Sequence, residues 1–277
     1  MKVTSLFCNG FWRLVCFIIL TFSLFSLNGD RSSEWETLSE GLEFAEITLD
    51  NKAVLQVLRA DLSNYELTLH GANFSDGKKR TASEWGEKYG LSAAINAGMY
   101  HPDNSGVGYM SRKGKTNGTR MPSDYKAVLA FDRKDSSVPE AKIIDFGCDK
   151  WHTIKKKYGS LVQSIRMYSC KGRNVWATQP EKWSTAALAT DKKGKVLFIH
   201  CRQPMRVHDF INSTVKAIPS ISRMMYLEGG AEASLYISSG DRSFSFSGAY
   251  FKKNSGKNRQ NRQWHIPNVI GLKKKKK

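Results

Sequence analysis

At 277 residues, with 40% apolar and 11% aromatic content, the chain has material for one large globular domain, and its composition excludes extensive disorder. The formal net charge of +18 calls for an anionic partner or serves solubility. It does not point to nucleic acid, because Lys and Arg are scattered through 112–120, 150–157 and 252–262 rather than forming a ladder with aromatic residues.

The first segment stands apart. Lys2 and Arg13 are its only charges before Asp30, and from Leu14 to Leu27 every residue is apolar, Ser or Thr. Such a run fits the apolar region of a secretory signal and is short for a membrane span, which needs about 20 residues. Residues 1–29 are therefore expected to be a signal peptide, with an anchor through residues 11–27 as the alternative. The protein is then exported, to a periplasmic or extracellular site, and meets a membrane only if that segment stays uncleaved. Residues 30–41 are polar, lack a period and read as a linker. A domain over 42–272 follows, closed by a solvated tail, Lys273–Lys277.

In chain order, Glu43–Leu49, Ala53–Arg59 and Tyr65–His70 read as strands of a meander, the first by its period-2 alternation. Thr81-Ala-Ser-Glu84 is a capping-box sequence opening a helix that Gly90 stops. Leu91–Ile95 reads as a buried strand running into Asn96. Further strands are expected at Gly106–Met110, Ala127–Phe131, Lys142–Phe146 and Leu161–Gln163. Thr185–Thr190 and Val196–Cys201 form a hairpin about Asp191–Gly194. Val207–Ile218 has helical spacing and ends at Pro219. Met224–Leu227 and Val269–Leu272 are core strands, and 238–262 is a loop-dominated hairpin. The fold class is α+β: a mixed, mostly antiparallel sheet with a few flanking helices in a single domain.

The cysteines exclude a zinc ribbon, since Cys148, Cys170 and Cys201 show no Cys-x-x-Cys spacing. Three buried free thiols are expected, with one disulfide and a spare thiol as the alternative. The chain also has no nucleophile-elbow serine, no Gly-Lys-Ser/Thr phosphate loop and no dinucleotide fingerprint.

Two segments share one design, in which a strand delivers its end to a loop of small and polar residues: Ala94–His101 and Tyr226–Ser234. Glycines let backbone amides approach a ligand, and sites form where strands leave the core. The sequences Asn96-Ala-Gly-Met-Tyr100, Asp103 with Val107-Gly108, Val162-Gln-Ser164, and Leu227-Glu-Gly-Gly230 with Ser234-Leu-Tyr236 occur in that order. In order and spacing they resemble the phosphodiester glycosidase family, in a divergent bacterial branch, over about residues 43–272. Three departures stand out. Glu228 replaces the family's usual Asp, Ile165-Arg166 replaces Gly-Pro, and an Arg common in the family is absent near Trp183-Ser-Thr185.

The resemblance implies hydrolysis of a sugar joined through its anomeric carbon to a phosphodiester, in cell-envelope glycan metabolism. The alternative it leaves is an inactive module binding anionic envelope glycans. Such chemistry needs carboxyl groups, a phosphate-binding cation and hydrogen-bonding positions. On that basis Glu228, Glu232, Asn96 and His101 are the catalytic candidates. Gly98, Tyr100, Asp103, Gln163, Ser164, Arg166, Gly229, Gly230 and Ser234 are the substrate-binding candidates, with the Arg166 fork suited to phosphate. The competing reading of Arg166 is a structural ion pair with one of the glutamates. His208-Asp209 is either an acid/base couple or a surface pair at a helix start. His101, Asp103, Glu228 and Glu232 are the residues that could gather a divalent ion, although no recognised ligand spacing links them.

Overall fold

The computed structural model describes residues 35–249 and 262–276. The leader, including the proposed signal segment, and the greater part of the basic stretch 252–262 lie outside the described residues. The strands and helices in chain order begin with β1 (Glu36–Ser39), β2 (Leu42–Thr48), β3 (Val54–Ala60), β4 (Tyr65–Gly71), α1 (Ala82–Tyr89) and β5 (Ala93–Asn96). They continue with β6 (Met110–Arg112), β7 (Lys115–Thr116), β8 (Ala127–Arg133), β9 (Lys142–Asp145), α2 (Trp151–Ile154), β10 (Tyr158–Ser164) and β11 (Arg166–Tyr168). The last are β12 (Trp183–Asp191), β13 (Val196–Met205), α3 (Val207–Ala217), β14 (Ile221–Gly229), β15 (Ser234–Ser239), β16 (Arg242–Ser247) and β17 (Asn268–Lys274).

The strands make three sheets, ordered β1-β2-β3-β13-β12-β14-β11, β7-β6-β10-β8-β9 and β16-β15-β5-β17-β4. Every pairing between named strands is antiparallel. Inner faces of all three sheets meet in one core containing Leu58, Ile95, Leu129, Phe198, Leu227, Leu235 and Ile270. The outer face of the seven-stranded sheet packs on Phe210 and Ile211 of α3, through Leu55, Val57, Ile199 and Met224. Central strands such as β13 are thus buried on both faces, which is why Val196–Cys201 is almost uninterruptedly apolar. α1 closes another sheet by setting Trp85 against Ala94 and Val269. Thr81 caps it reciprocally with Glu84, and Gly90 ends it in the left-handed conformation.

Several expectations are corrected. Residues 36–39, inside the presumed linker, pair with β2 because the sheet edge there offers free backbone groups. The meander breaks after β3, and β4 joins β17 in a different sheet. Gly106–Met110 is loop up to Met110: the N–H groups of Gly106, Val107 and Met110 donate to Asn117, Met99 and Gly118, and the Tyr109 carbonyl accepts from Gln163 N–H of β10. Stretch 238–262 opens with a regular hairpin, β15–β16, turning at Gly240. The lysine tail is no free tail at its start. Lys273 and Lys274 pair with Glu66 and Tyr65, and Lys275 Nζ donates to the Leu62 carbonyl. Of the three cysteines, Cys148 and Cys170 form a disulfide and only Cys201 is a buried free thiol.

Candidate active site

The two sequence loops come together at the ends of β5 and β14. Asn96, the last residue of β5, is 1% exposed. Its Nδ2 donates to the Glu232 carbonyl at 3.0 Å and its Oδ1 accepts from Ser234 N–H at 2.7 Å. Ser234 Oγ donates to the same carbonyl at 2.9 Å. Asn96 and Ser234 therefore stitch one loop to the other, and both spend their side chains positioning the Glu232 turn.

Glu228 is aimed by a β-bulge. Ala187 of β12 faces Tyr226, and the next residue back, Ala186, faces Glu228, so β14 spends two residues where β12 spends one. Bulges redirect side chains at sheet ends. Ala187 and Tyr226 belong to the layer under α3, whereas Ala186 lies in the central core, so Glu228 turns away from Tyr226 towards the central side. Glycine is required after it. A Cβ on Gly229 would lie 2.1 Å from Tyr226 Oη and 2.6 Å from the Trp183 ring, and Gly230 has φ +66°.

The carboxyl of Glu228 is pushed up to about 8, chiefly by burial and further by the charge of Glu232, against the opposing hydrogen bond from Gly229 N–H. Glu228 acts on three phenols, and Glu232 on two of them. Burial, then Glu232 and Glu228, push Tyr100 up to about 12. Tyr125 is raised by burial, Asp124 and Glu228, and Tyr226 is raised by burial and Glu228. Among the described residues neither glutamate has an ion pair. The site is therefore two carboxyl groups in unlike surroundings, framed by tyrosines.

The other candidates fall into different places. Gly98 takes φ +101° at the turn between Asn96 and Tyr100. Gln163 is buried and structural: its Oε1 accepts from Tyr109 N–H at 3.0 Å, and its Nε2 donates to the Tyr125 carbonyl at 2.8 Å. It thereby holds Tyr125 in place. Ser164 is buried, and its Oγ has no hydrogen bond among the described residues. Arg166 is engaged in an ion pair. Its Nη1 pairs with Asp145 Oδ1, a carboxylate 2% exposed that also accepts from Cys170 N–H, beside the Cys148–Cys170 disulfide. Arg166 is an ion-pair residue, as the competing reading had it, but its partner is Asp145 and neither glutamate.

His101 and Asp103 lie outside the glutamate pair, on the wall of a cleft of about 480 Å³. Among the described residues, the only cluster with three ligand atoms within 4.8 Å is Asp145–Cys148–Cys170, whose sulfurs are joined to each other. His101, Asp103, Glu228 and Glu232 do not form one. His208 and Asp209 are a partly exposed pair 3.7 Å apart at the start of α3, the surface alternative. Trp176 and Trp183 pack against the layer under α3. Tyr125 and Tyr226 were missed as site residues. Tyr226 adjoins the Glu228 motif, whereas Tyr125 sits in a polar loop with no local signal.

The family model described as phosphodiester glycosidase matches residues 89–273, which include both loops. Among solved structures, the catalytic domain of zebrafish N-acetylglucosamine-1-phosphodiester alpha-N-acetylglucosaminidase, auto-inhibited by its pro-peptide, is similar with a TM-score of 0.59 at 14% identity. That match covers 88% of this chain and 87% of that one. A hypothetical protein from Synechocystis is similar with a TM-score of 0.59 at 10% identity, covering 87% of this chain and 63% of the other. At such identities the structural likeness establishes the fold. No curated protein matches the sequence.

Proposed function

We propose a function from the premise that the chain belongs to the phosphodiester glycosidase family: it hydrolyses a sugar-1-phosphodiester, with Glu228 as proton donor and Glu232 as its carboxylate partner. The observation carrying this reading is the raised Glu228 carboxyl, near 8, beside the Glu232 charge. A carboxyl group that keeps its proton, set beside a second carboxyl group, is what glycoside hydrolysis uses. Glu228 holds its proton at neutral pH and gives it to the departing oxygen as the C1–O bond breaks. The Glu232 carboxylate stabilises the oxocarbenium-like centre, water adds to C1 as hydroxyl, and the proton it releases returns to the Glu228 carboxylate. Free sugar and a phosphomonoester result.

Tyr100 and Tyr125 remain phenols over the working range and offer O–H donors around the same space. The substitution of Glu228 for the family's usual Asp extends the carboxyl by one methylene, which the bulge and Gly229 accommodate.

Export is part of the proposal. The Cys148–Cys170 disulfide suits an oxidising compartment, and the apolar run at residues 14–27 suits a signal sequence. No helix among the described residues is long and apolar enough to cross a membrane. An anionic envelope glycan is the proposed substrate class, in keeping with the charge of the chain.

A second reading, an inactive module binding anionic glycans, draws on the withdrawal of Arg166 into its pair with Asp145. Incubation with a panel of sugar-1-phosphodiesters separates the two. Sugar release by the wild type that Glu228→Gln abolishes supports the hydrolase, whereas binding without release supports the module.

A further inference from the structure

The cleft that carries His101 and Asp103 also contains Ser105, Thr116, Asn117, Thr119 and Arg120 in its lining. The loop forming one wall is held more firmly than a surface turn requires. Asn104 takes φ +70°, the left-handed region that Asn tolerates, and its carbonyl accepts from Asn117 Nδ2 at 3.2 Å and Asn268 Nδ2 at 2.9 Å. Asn73 Nδ2 donates to the Asp103 carbonyl at 3.0 Å and to Asn117 Oδ1 at 2.8 Å, and Asn117 Nδ2 reaches Asn268 Oδ1 at 2.9 Å. Asn117 and Asn268 are themselves buried. Asparagines from three distant parts of the chain thus converge to fix one loop, and rigidly held loops are where binding residues are commonly placed.

The loop links the cleft to the glutamates. Tyr100 bridges to Gly106 and senses the Glu228 and Glu232 charges, while the next residue, His101, lines the cleft. Lys79 Nζ stands 4.9 Å from the Tyr100 ring centre at this junction. The cleft's own cation is Arg120, which makes no ion pair among the described residues. Asp103 already accepts from Ser105 N–H and Oγ, at 2.9 and 2.6 Å. Thr116 and Thr119 add their hydroxyls to the lining.

We propose that this cleft is the leaving-group subsite, in which Arg120 holds a phosphate and Thr116, Thr119 and Ser105 meet a hydroxylated aglycone. It rests on the glycosidase reading, and its ligand class, a polyol phosphate, is the one that the Arg120 cation and the three hydroxyls suit. Arg120 supplies the planar donor fork that Arg166 does not.

Binding of sn-glycerol 1-phosphate, read by calorimetry with inorganic phosphate and glycerol alongside, tests it without turnover. Wild type should bind the phosphate ester and not glycerol. Arg120→Ala and the cleft-filling Thr119→Trp should each weaken binding at least about tenfold, with KM for phosphodiesters rising as much and kcat nearly unchanged. Lys115→Ala, one residue from the lining on exposed β7, should leave both within about twofold. Equal losses in Arg120→Ala and Lys115→Ala would reduce the effect to general charge and overturn the subsite. Sugar release by a wild type that shows no phosphate-ester binding would overturn it too. Arg120-dependent binding without sugar release would retain the subsite and remove the glycosidase reading.

Discussion

Glu228→Gln should change how the protein's stability depends on pH, by an amount that follows from the surroundings of the carboxyl. The group holds its proton up to about pH 8 in the folded protein and is referred to an ordinary value of 4.5 when unfolded. Between those values the native state binds one more proton than the unfolded chain, so stability falls as pH rises, by about 1.4 kcal/mol per unit. From pH 6 to pH 9 the fall ends near pH 8, a span of about two units, or roughly 3 kcal/mol. Glutamine has no proton to lose, so the variant escapes this decline while keeping the size of the side chain and an acceptor for Gly229 N–H. Contributions from titrating groups that do not interact with Glu228 cancel between the two proteins, and the tyrosines that do interact keep their protons over this range. For a domain of this size about 1 kcal/mol moves Tm by roughly 2–4 °C. The variant's Tm relative to wild type should therefore rise by about 5–10 °C between pH 6 and pH 9. Thermal unfolding by circular dichroism at both pH values measures it. A Tm difference that is the same at pH 6 and pH 9 would refute the claim that burial keeps Glu228 protonated.

The same proton should govern turnover: kcat/KM on a phosphodiester should fall tenfold per unit above about pH 8, and a flat rate to pH 10 would remove Glu228 as the donor. Asn96→Ala leaves the Glu232 carbonyl without its Asn96 donor and the buried Ser234 N–H without its acceptor. It should lower stability by about 2–3 kcal/mol in urea unfolding and reduce kcat through a displaced Glu232. Arg166→Ala strands the buried Asp145 carboxylate and should cost about 3 kcal/mol of stability. Any activity that survives should show the same KM as wild type, and a selective rise in KM for phosphodiesters would return Arg166 to the substrate.

Local patterns in the chain carried much of this architecture. The Thr81–Glu84 capping box, the Asp191–Gly194 hairpin and the helix before Pro219 follow from short-range rules, because their hydrogen bonds close within a few residues. The loops at Asn96 and Glu228 were legible as strand ends rich in glycine, and their convergence was implied by family resemblance. Sequence by itself could not assign partners across the fold. Asn96 reads as a catalytic candidate, and only the pairing of β5 with β15 places Glu232 and Ser234 beside it and makes them its partners. Arg166 reads as a phosphate ligand until β9 brings Asp145 to it, and the disulfide appears only because the chain after β9 returns beside the chain after β11. Tyr125 and the asparagines behind the cleft show no local signal at all, since each acts on a residue far away in sequence. Composition and periodicity determined where strands and helices form, because backbone propensity and side-chain alternation are local. Only the tertiary structure decided which carboxyl is desolvated and which cations are paired, because desolvation and charge pairing depend on distances that close when the sheets pack.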